Sequence, residues 1–384
     1  MGTTQPKLYA NGGFDVEHKI DPDLFTDSCT ALNEAVDRAV KLSVKWGKPD
    51  KGFIQELKRN NAVFAAFKAH REQNDLAGLL VDDDGNARSF DSFRRAAAPV
   101  IGEYNVNWLQ TEYATAVRVA RTAVRFKQYE KDGDLYPNGE WLPSRAAEPR
   151  MSHRKYYHTV RRLTDPWWET HYPGCVWGCQ CDMRNTGKPV THIGDNPAAP
   201  GAEPTTVPPS EEAGVRSPGL SRNPARSGEL FSRDHPYFTS AYPGAEKAVK
   251  GFVEKKENES ARKELSDWYT KNLPEAKAGK FKAKRFEINT PGDKTKTYIN
   301  RRFYEEVSSK YKNDKQYNQR LELAREAHLL FPKAHFVRTE ESQHHKDALY
   351  FDVYEYADKD RGLVIEFKRK VNKDGGFLHF MRIK

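Results

Sequence analysis

A chain of 384 residues is too long for one ordinary domain and long enough for two domains that each have a core. Hydrophobic residues make up 37% of it and charged residues 30%, and the mean hydropathy of −0.87 is more polar than that of a compact enzyme, which indicates a sizeable share of linker or surface. The formal net charge of +9 favours an anionic partner, most naturally nucleic acid, although a lysine-rich solvated surface gives the same count.

The sequence carries no pattern of membrane insertion or secretion. No stretch reaches the roughly 18 apolar residues that a bilayer span needs, so no membrane partner is expected. Residues 1–14 contain no apolar core and do not form a signal peptide, and we assign residues 1–25 to an N-terminal arm. Cys175, Cys179 and Cys181 crowd one short segment instead of scattering as in a disulfide framework, which is a cytosolic pattern.

Helical periodicity extends from about residue 26 to residue 127. In its first part apolar residues recur every four positions: Leu32, Val36, Val40 and Val44. The clearest helix is predicted over residues 107–128, where Arg118, Arg121 and Arg125 line one face. These arginines most simply form a solvated face, and a nucleic-acid contact is the weaker interpretation.

Turns, aromatic residues and histidines replace this pattern between residues 132 and 186. With the preceding helix, the segment presents a set of residues in a fixed order: Glu112, Arg121, Trp141, Arg150, His153, His171, Cys175, Cys179 and Cys181. That order resembles the head-morphogenesis family of Mu-like phages. In that family an arginine-bearing long helix precedes a tryptophan, an Arg-x-x-His element and a terminal Cys-x-Cys loop. The likeness covers residues 26–186, and it departs where many relatives have Pro-Asn-Cys-Arg-Cys and this chain has Trp177, Gly178 and Gln180.

The resemblance implies a minor head protein inside a phage virion. Portal, scaffold or capsid proteins would be its partners. It would be located in the phage head, and in the host cytoplasm during assembly or after delivery.

The clustered cysteines indicate a possible structural zinc site. Four residues are the predicted ligands: His171, Cys175, Cys179 and Cys181. Thiolates and one imidazole suit a tetrahedral zinc shell, and a loop-rich region would gain stability from a metal. His153 and His158 are alternative nitrogen donors. A reduced cysteine loop packed under nearby tryptophans explains the same sequence equally well.

Residues 187–284 are predicted to be a flexible linker with a polar helical piece. Prolines recur among Gly, Ser, Glu and Thr between residues 187 and 236, and almost nothing apolar is left to bury. The helical piece follows at residues 246–271.

Residues 285–384 have the pattern of an α+β domain with an antiparallel sheet. Two helices are predicted at residues 300–308 and 317–330. Strands are then predicted at residues 335–338, 349–356, 363–368 and 377–383, with a hairpin turn at residues 373–376 before the last one. The expected fold is therefore multidomain, with a mostly α head-morphogenesis domain, a disordered proline-rich linker and a C-terminal α+β domain.

This C-terminal layout resembles the barnase, EndoU, colicin and RelE-like ribonucleases, which are found fused to phage head proteins. Such enzymes need no metal, because a base, an acid and cations carry the reaction. The candidate catalytic residues are His345, Lys346, Lys368, Arg369 and His379. Lys368 and His379 are expected to face each other across the hairpin.

Three tyrosines of one predicted strand are candidates for stacking on nucleic-acid bases. Tyr350, Tyr354 and Tyr356 alternate onto one face, where they either stack on bases or pack within the sheet. The nucleic acid would be RNA for a ribonuclease. In the alternative function the whole protein is a structural virion component whose basic C-terminus binds packaged DNA.

Overall fold

The computed structural model describes residues 14–43, 49–191, 216–274, 284–312, 314–341 and 348–384. The chain divides into two compact units, Met1–Val253 and Glu254–Lys384. The first is mostly helical, and the second combines helices with a largely antiparallel sheet, so this part of the predicted fold class is confirmed. Within these ranges no helix has both the length and the apolarity that crossing a bilayer requires.

Four long helices form the framework of the first unit: α1 (Pro22–Ser43), α2 (Lys51–Gly78), α3 (Phe90–Gly102) and α4 (Leu109–Lys131). The Asp50 side chain begins α2 by accepting the backbone N–H of Phe53 at 3.0 Å. A π-helical turn, Glu103–Trp108, joins α3 to α4. Leu32 and Val36 of the stripe predicted for α1 are buried in this helix, which packs against α2 and α4, and Val40 is partly buried, whereas Val44 lies outside the described residues.

A small antiparallel sheet follows the helices. It consists of β1 (Asn138–Leu142) between β2 (Val160–Arg162) and β3 (Asp182–Thr186). Two 3-10 helices, Met151–Tyr156 and Pro166–Glu169, lie in the connections. Gly139 is required in β1, since a Cβ there would lie 2.9 Å from Cζ2 of the buried Trp168.

Residues 216–253 differ from the linker that the sequence predicts, because they pack into the core of the first unit. Leu220, Phe231 and Tyr237 are buried there, and the Phe231 ring stacks on Phe64 with the ring centroids 4.0 Å apart. Two one-turn helices, α5 (Pro224–Ser227) and α6 (Pro236–Thr239), lie in this segment. Its apolar residues are irregularly spaced among prolines and glycines. The segment therefore shows no helical or strand periodicity from which its burial could be predicted. The remainder of the predicted disordered stretch, residues 192–215, lies outside the described residues.

The helix α7 (Ala245–Asn272) contributes to both cores. Ala245, Val249 and Val253 belong to the core of the first unit, whereas Leu265 and Tyr269 belong to the core of the second. The second unit therefore begins within the segment that the sequence assigns to the linker.

The second unit contains a six-stranded sheet with the strand order β4-β5-β9-β8-β7-β6. Its strands are β4 (Arg285–Asn289), β5 (Lys296–Asn300), β6 (His335–Glu341), β7 (Tyr350–Asp358), β8 (Leu363–Asn372) and β9 (Gly375–Ile383). The β5–β9 pair is parallel and the others are antiparallel. The helices are α8 (Arg301–Ser309) and α9 (Tyr317–Leu330), close to the predicted ranges.

Candidate metal centre

Two segments of the first unit bring one histidine and three cysteines together, and we name them the His/Cys cluster. His153 lies in the 3-10 helix before β2, and Cys175, Cys179 and Cys181 lie in the loop that leads into β3. His153 and Cys175 are fully buried, Cys179 is nearly so, and Cys181 is partly exposed. Segments that are more than twenty residues apart in the chain thus share one site.

The end of the cysteine loop is anchored by helix α4. Arg125 Nη1 lies 2.5 Å from Asp182 Oδ1, and Arg125 Nη2 donates to the carbonyl of Met183 at 2.8 Å. The interpretation of the α4 arginines as a solvated face is wrong for Arg125, which is 5% exposed. Its guanidinium binds the carboxylate of Asp182 and the carbonyl of Met183, the first two residues of β3, directly after Cys181.

The His153 ring separates the cysteines into two groups. Its Nδ1 lies 3.5 Å from Cys179 Sγ and 3.7 Å from Cys181 Sγ. Its Nε2, at the other edge of the ring, lies 3.9 Å from Cys175 Sγ. The ligand atoms of His153, Cys179 and Cys181 all lie within 4.8 Å of one another, so this group could hold a metal ion.

The three-residue group contains a different histidine from the one that the sequence favoured. His171 stacks on Trp167, with a centroid distance of 4.9 Å and an angle of 7° between the rings, and its Nδ1 lies 3.0 Å from Thr170 Oγ1. The Nδ1 atom of His158 lies 3.0 Å from Glu140 Oε1. Neither belongs to the three-residue group, whereas His153, an alternative in the sequence, does. His171 is nearer in the chain, but its own aromatic and hydroxyl contacts hold its ring.

The cluster holds charge even without a metal. The hydrogen bond from Cys181 lowers the pKa of Cys179 to about 4, against the opposing effect of burial. The same hydrogen bond raises the pKa of Cys181. Burial opposes a proton on His153, but hydrogen bonds to Cys175 and Cys179 outweigh it and raise the pKa of the imidazole to about 10. The arrangement is therefore a thiolate, a thiol and an imidazolium in contact, and a divalent cation would have to displace protons to bind.

The candidate catalytic residues of the second unit lie in different environments. Lys368 Nζ lies 2.7 Å from Glu340 Oε2, and the buried Arg369 pairs with the buried Asp352 at 3.0 Å. His379 is 7% exposed. His345 and Lys346 lie outside the described residues.

Lys368 and His379 are not opposite each other in the register of β8 and β9, but both side chains lie against the Phe351 ring. Lys368 Nζ is 4.7 Å from its centroid, and the centroids of Phe351 and His379 are 5.4 Å apart. Lys368 pairs with Phe380, the next residue Arg369 pairs with Leu378, and His379 is the extra residue of a β-bulge between them. A bulge shifts the register of one strand by one residue, which alternation in the sequence does not reveal.

The three tyrosines of β7 share no open surface. Tyr354 is 3% exposed and packs edge-on against Phe331, with the centroids 5.0 Å apart. Tyr350 is exposed, and Tyr356 is partly buried beside the core. A ring as buried as Tyr354 has no free face for a base, so its position favours the packing interpretation over the stacking one.

Sequence reasoning missed a cavity of about 280 Å³ in the first unit. It is lined by Arg71, Trp108, Thr111, Glu112, Trp177, His235, Pro236 and Tyr237, and we name it the aromatic cavity. Four elements contribute to it, including α6 from the segment that was predicted to be a linker. The only signal in the sequence was Trp108 itself, an apolar residue at the start of a predicted helix.

Two curated proteins resemble this chain over part of its length. It is 32% identical over 108 residues to a protein of Escherichia phage Mu named capsid assembly protein F, a match that covers 28% of this chain and 22% of that protein. Over the matched segment, this chain is therefore similar to the F proteins of Mu-type phages. The Mu-like prophage FluMu F protein of Haemophilus influenzae is 29% identical over 104 residues, which cover 27% of this chain and 22% of the relative. The matches thus span about a fifth of each relative, and they support the resemblance to the head-morphogenesis family.

No family model and no solved structure matches the chain. The names of the two relatives refer to capsid assembly and to a prophage, and neither refers to a nuclease.

Proposed function

We propose that this protein takes part in the assembly of the head of a tailed phage or prophage, as a minor component of the virion. The observation that carries the proposal is the 32% identity to a protein named for capsid assembly. Its partners would be portal, scaffold or capsid proteins, and it would be located in the head and, during assembly, in the host cytoplasm.

The placement of the family-like residues supports this function. Trp141 and His153 are in contact, with their ring centroids 5.6 Å apart, and Cys179 and Cys181 lie against the same histidine. Residues scattered over forty positions of the sequence therefore meet in one buried cluster. Sparse residues that hold one domain together are what a family would retain in a fixed order.

The aromatic cavity supplies a surface for a head partner. Trp108 is 41% exposed, and Trp177 and Tyr237 form further walls. Tryptophan, tyrosine and arginine are the residues that dominate binding energy at protein interfaces. The volume of about 280 Å³ lies just below the range of roughly 300 to 1,000 Å³ for small-molecule sites. The cavity is large enough for an apolar side chain of a partner.

Co-purification tests both parts of this proposal. The full chain would be expressed together with candidate portal, scaffold and capsid proteins, and captured through an affinity tag. We expect at least one of these proteins to co-purify. Trp108→Ala should reduce the recovered partner by a factor of about 30, the equivalent of roughly 2 kcal/mol for an interface hot spot.

Tyr136→Ala is the matched control, because Tyr136 is an exposed aromatic residue that does not line the cavity. It should leave the recovered partner unchanged. A wild-type chain that captures none of the head proteins would overturn the assembly function. Equal capture by the wild type and Trp108→Ala would overturn only the placement of the partner in the cavity.

Ribonuclease activity of residues 285–384 stays a prediction, as does DNA binding by the same residues. The α+β layout supports the first, while the pairing of Lys368 with Glu340 and of Arg369 with Asp352 leaves these cations already engaged. The full chain incubated with RNA and with DNA, each with and without EDTA, separates the two. Cleavage of RNA in EDTA would favour the nuclease, and retention of DNA without cleavage would favour the structural function.

A further inference from the structure

We propose that His153 Nδ1, Cys179 Sγ and Cys181 Sγ bind one zinc ion, and that Cys175 orients His153 instead of serving as a ligand. This inference is independent of head assembly, because it rests on the geometry of the His/Cys cluster alone.

The distances within the cluster match a tetrahedral zinc site. Zinc binds imidazole nitrogen at about 2.0–2.1 Å and thiolate sulfur at about 2.3 Å, and a tetrahedral angle then separates nitrogen from sulfur by about 3.5 Å. Cys179 Sγ lies 3.5 Å and Cys181 Sγ 3.7 Å from His153 Nδ1. An ion can therefore be placed among the three atoms without a rearrangement of the backbone.

Zinc fits this donor set better than other common ions do. Two thiolates and an imidazole are soft to intermediate ligands, whereas magnesium and calcium require oxygen. Two thiolates and Zn²⁺ also sum to zero charge. A buried site of that composition avoids the cost of an unpaired charge in the core.

Cys175 lies where it can orient the imidazole of His153. Its sulfur lies 3.9 Å from His153 Nε2, at the edge of the ring opposite to Nδ1. A proton on Nε2 donated to that sulfur leaves the lone pair of Nδ1 free for the metal, and metal-bound histidines almost always donate their other N–H in this way. The cysteines thus have two different roles: two of them bind the ion, and one sets the tautomer.

Trp141 provides a similar contact to the metal-bound sulfur of Cys181. The indole Nε1 of Trp141 is buried and faces Cys181, whose pKa the indole lowers. A zinc-bound thiolate is a better acceptor than a thiol, so the metal would strengthen this contact.

Three protein ligands leave one position of the tetrahedron for water. Cys181 is the partly exposed member of the cluster, so solvent reaches the site from its side. The ion would join the 3-10 helix Met151–Tyr156 to the loop before β3, two segments that otherwise have little regular structure.

Metal analysis of single variants tests the ligand set. The full chain would be purified without chelator in zinc-supplemented medium, and its zinc measured by elemental analysis. We expect about one equivalent of zinc in the wild type and less than about a tenth in Cys179→Ser and Cys181→Ser. Cys175→Ala and His171→Ala should keep the stoichiometry, although Cys175→Ala should bind zinc about 10 to 100 times more weakly in a chelator competition.

Cobalt substitution keeps the test decisive if a cysteine variant fails to fold. Co²⁺ bound to the wild type should show the visible bands of a tetrahedral complex and sulfur-to-cobalt charge transfer with the intensity of two thiolates. A wild-type chain that binds neither zinc nor cobalt would overturn the proposal and leave a packed cysteine cluster. Charge transfer from three thiolates, or loss of zinc in His171→Ala, would overturn the ligand set.

Discussion

Lys68 Nζ lies 2.6 Å from Glu112 Oε2 in the core of the first unit, where the two side chains are 0% and 5% exposed. The other oxygen of Glu112 accepts a hydrogen bond from the Tyr237 hydroxyl at 2.8 Å. Removal of one partner of such a pair leaves a buried charge without its counterion. Lys68→Met should therefore lower the free energy of unfolding by about 3–5 kcal/mol, measured by urea denaturation.

An exposed ion pair is the control for this prediction. Lys256 Nζ lies 3.2 Å from Glu259 Oε2 on the surface of α7. Lys256→Met should change the free energy of unfolding by at most about 0.5 kcal/mol, because water solvates both charges. A loss below about 1 kcal/mol in Lys68→Met would contradict the buried pair.

Phe231→Ala tests whether residues 216–253 belong to the first unit. The ring is fully buried against Phe64, and Asn60 bonds both the backbone N–H and the carbonyl of Phe231, at 2.9 and 3.0 Å. Truncation should cost about 3–5 kcal/mol, from lost burial and the cavity that remains. Leu135→Ala, at a residue that is 78% exposed, should cost less than about 0.5 kcal/mol. Equal stability of the two variants would restore the linker interpretation.

Glu72 gives the stability of the first unit a pH dependence of known sign. Burial raises the pKa of Glu72 to about 7, although the amide of Asn105 and the charge of Lys68 oppose the shift and the charges of Asp21 and Asp75 add to it. Between about pH 4.5 and pH 7 the folded state holds a proton that the unfolded state has released, so this group makes the free energy of unfolding fall as the pH rises.

Glu72→Gln should remove that contribution. The glutamine oxygen keeps the acceptor for Asn105 Nδ2, which lies 2.6 Å from Glu72 Oε1. At pH 8 the variant should be more stable than the wild type by about 2–3 kcal/mol, and at pH 4.5 the two should agree within about 0.5 kcal/mol. Urea denaturation at both pH values measures the difference. If the free energies of unfolding of Glu72→Gln and the wild type differ as much at pH 4.5 as at pH 8, the effect comes from packing and not from the titration of Glu72.

Gly376 allows the Arg369 guanidinium to pass over the backbone of β9. A Cβ at position 376 would overlap that guanidinium, which pairs with Asp352 at 3.0 Å and donates to Thr295 Oγ1 at 3.1 Å. Gly376→Ala should therefore destabilise the sheet by about 2–4 kcal/mol, measured as faster amide exchange in residues 363–383. The effect should largely vanish in the background of Arg369→Met, because the overlapping group is gone. Additive losses in the double variant would place the cost of alanine elsewhere.

The sequence by itself determined the elements whose periodicity is local. The stripe of α1, the helix α9, the alternation of β7 and β8 and the turn before β9 lie close to their predicted positions. Backbone geometry repeats every 3.6 residues in a helix and every two in a strand, so the apolar residues of a buried face can be recognised within one short segment. The three clustered cysteines could be recognised because they also lie within one short segment.

Only the tertiary structure decided which residues meet across the chain. His153 replaces His171 beside the cysteines, Arg125 is buried at the start of β3, and His379 occupies a bulge. Phe231 and Tyr237 join a core from which they are separated by more than a hundred residues. Such contacts depend on how the helices and strands pack against one another. A single apolar residue in an irregular segment, or a one-residue bulge, has no periodicity that the sequence would show.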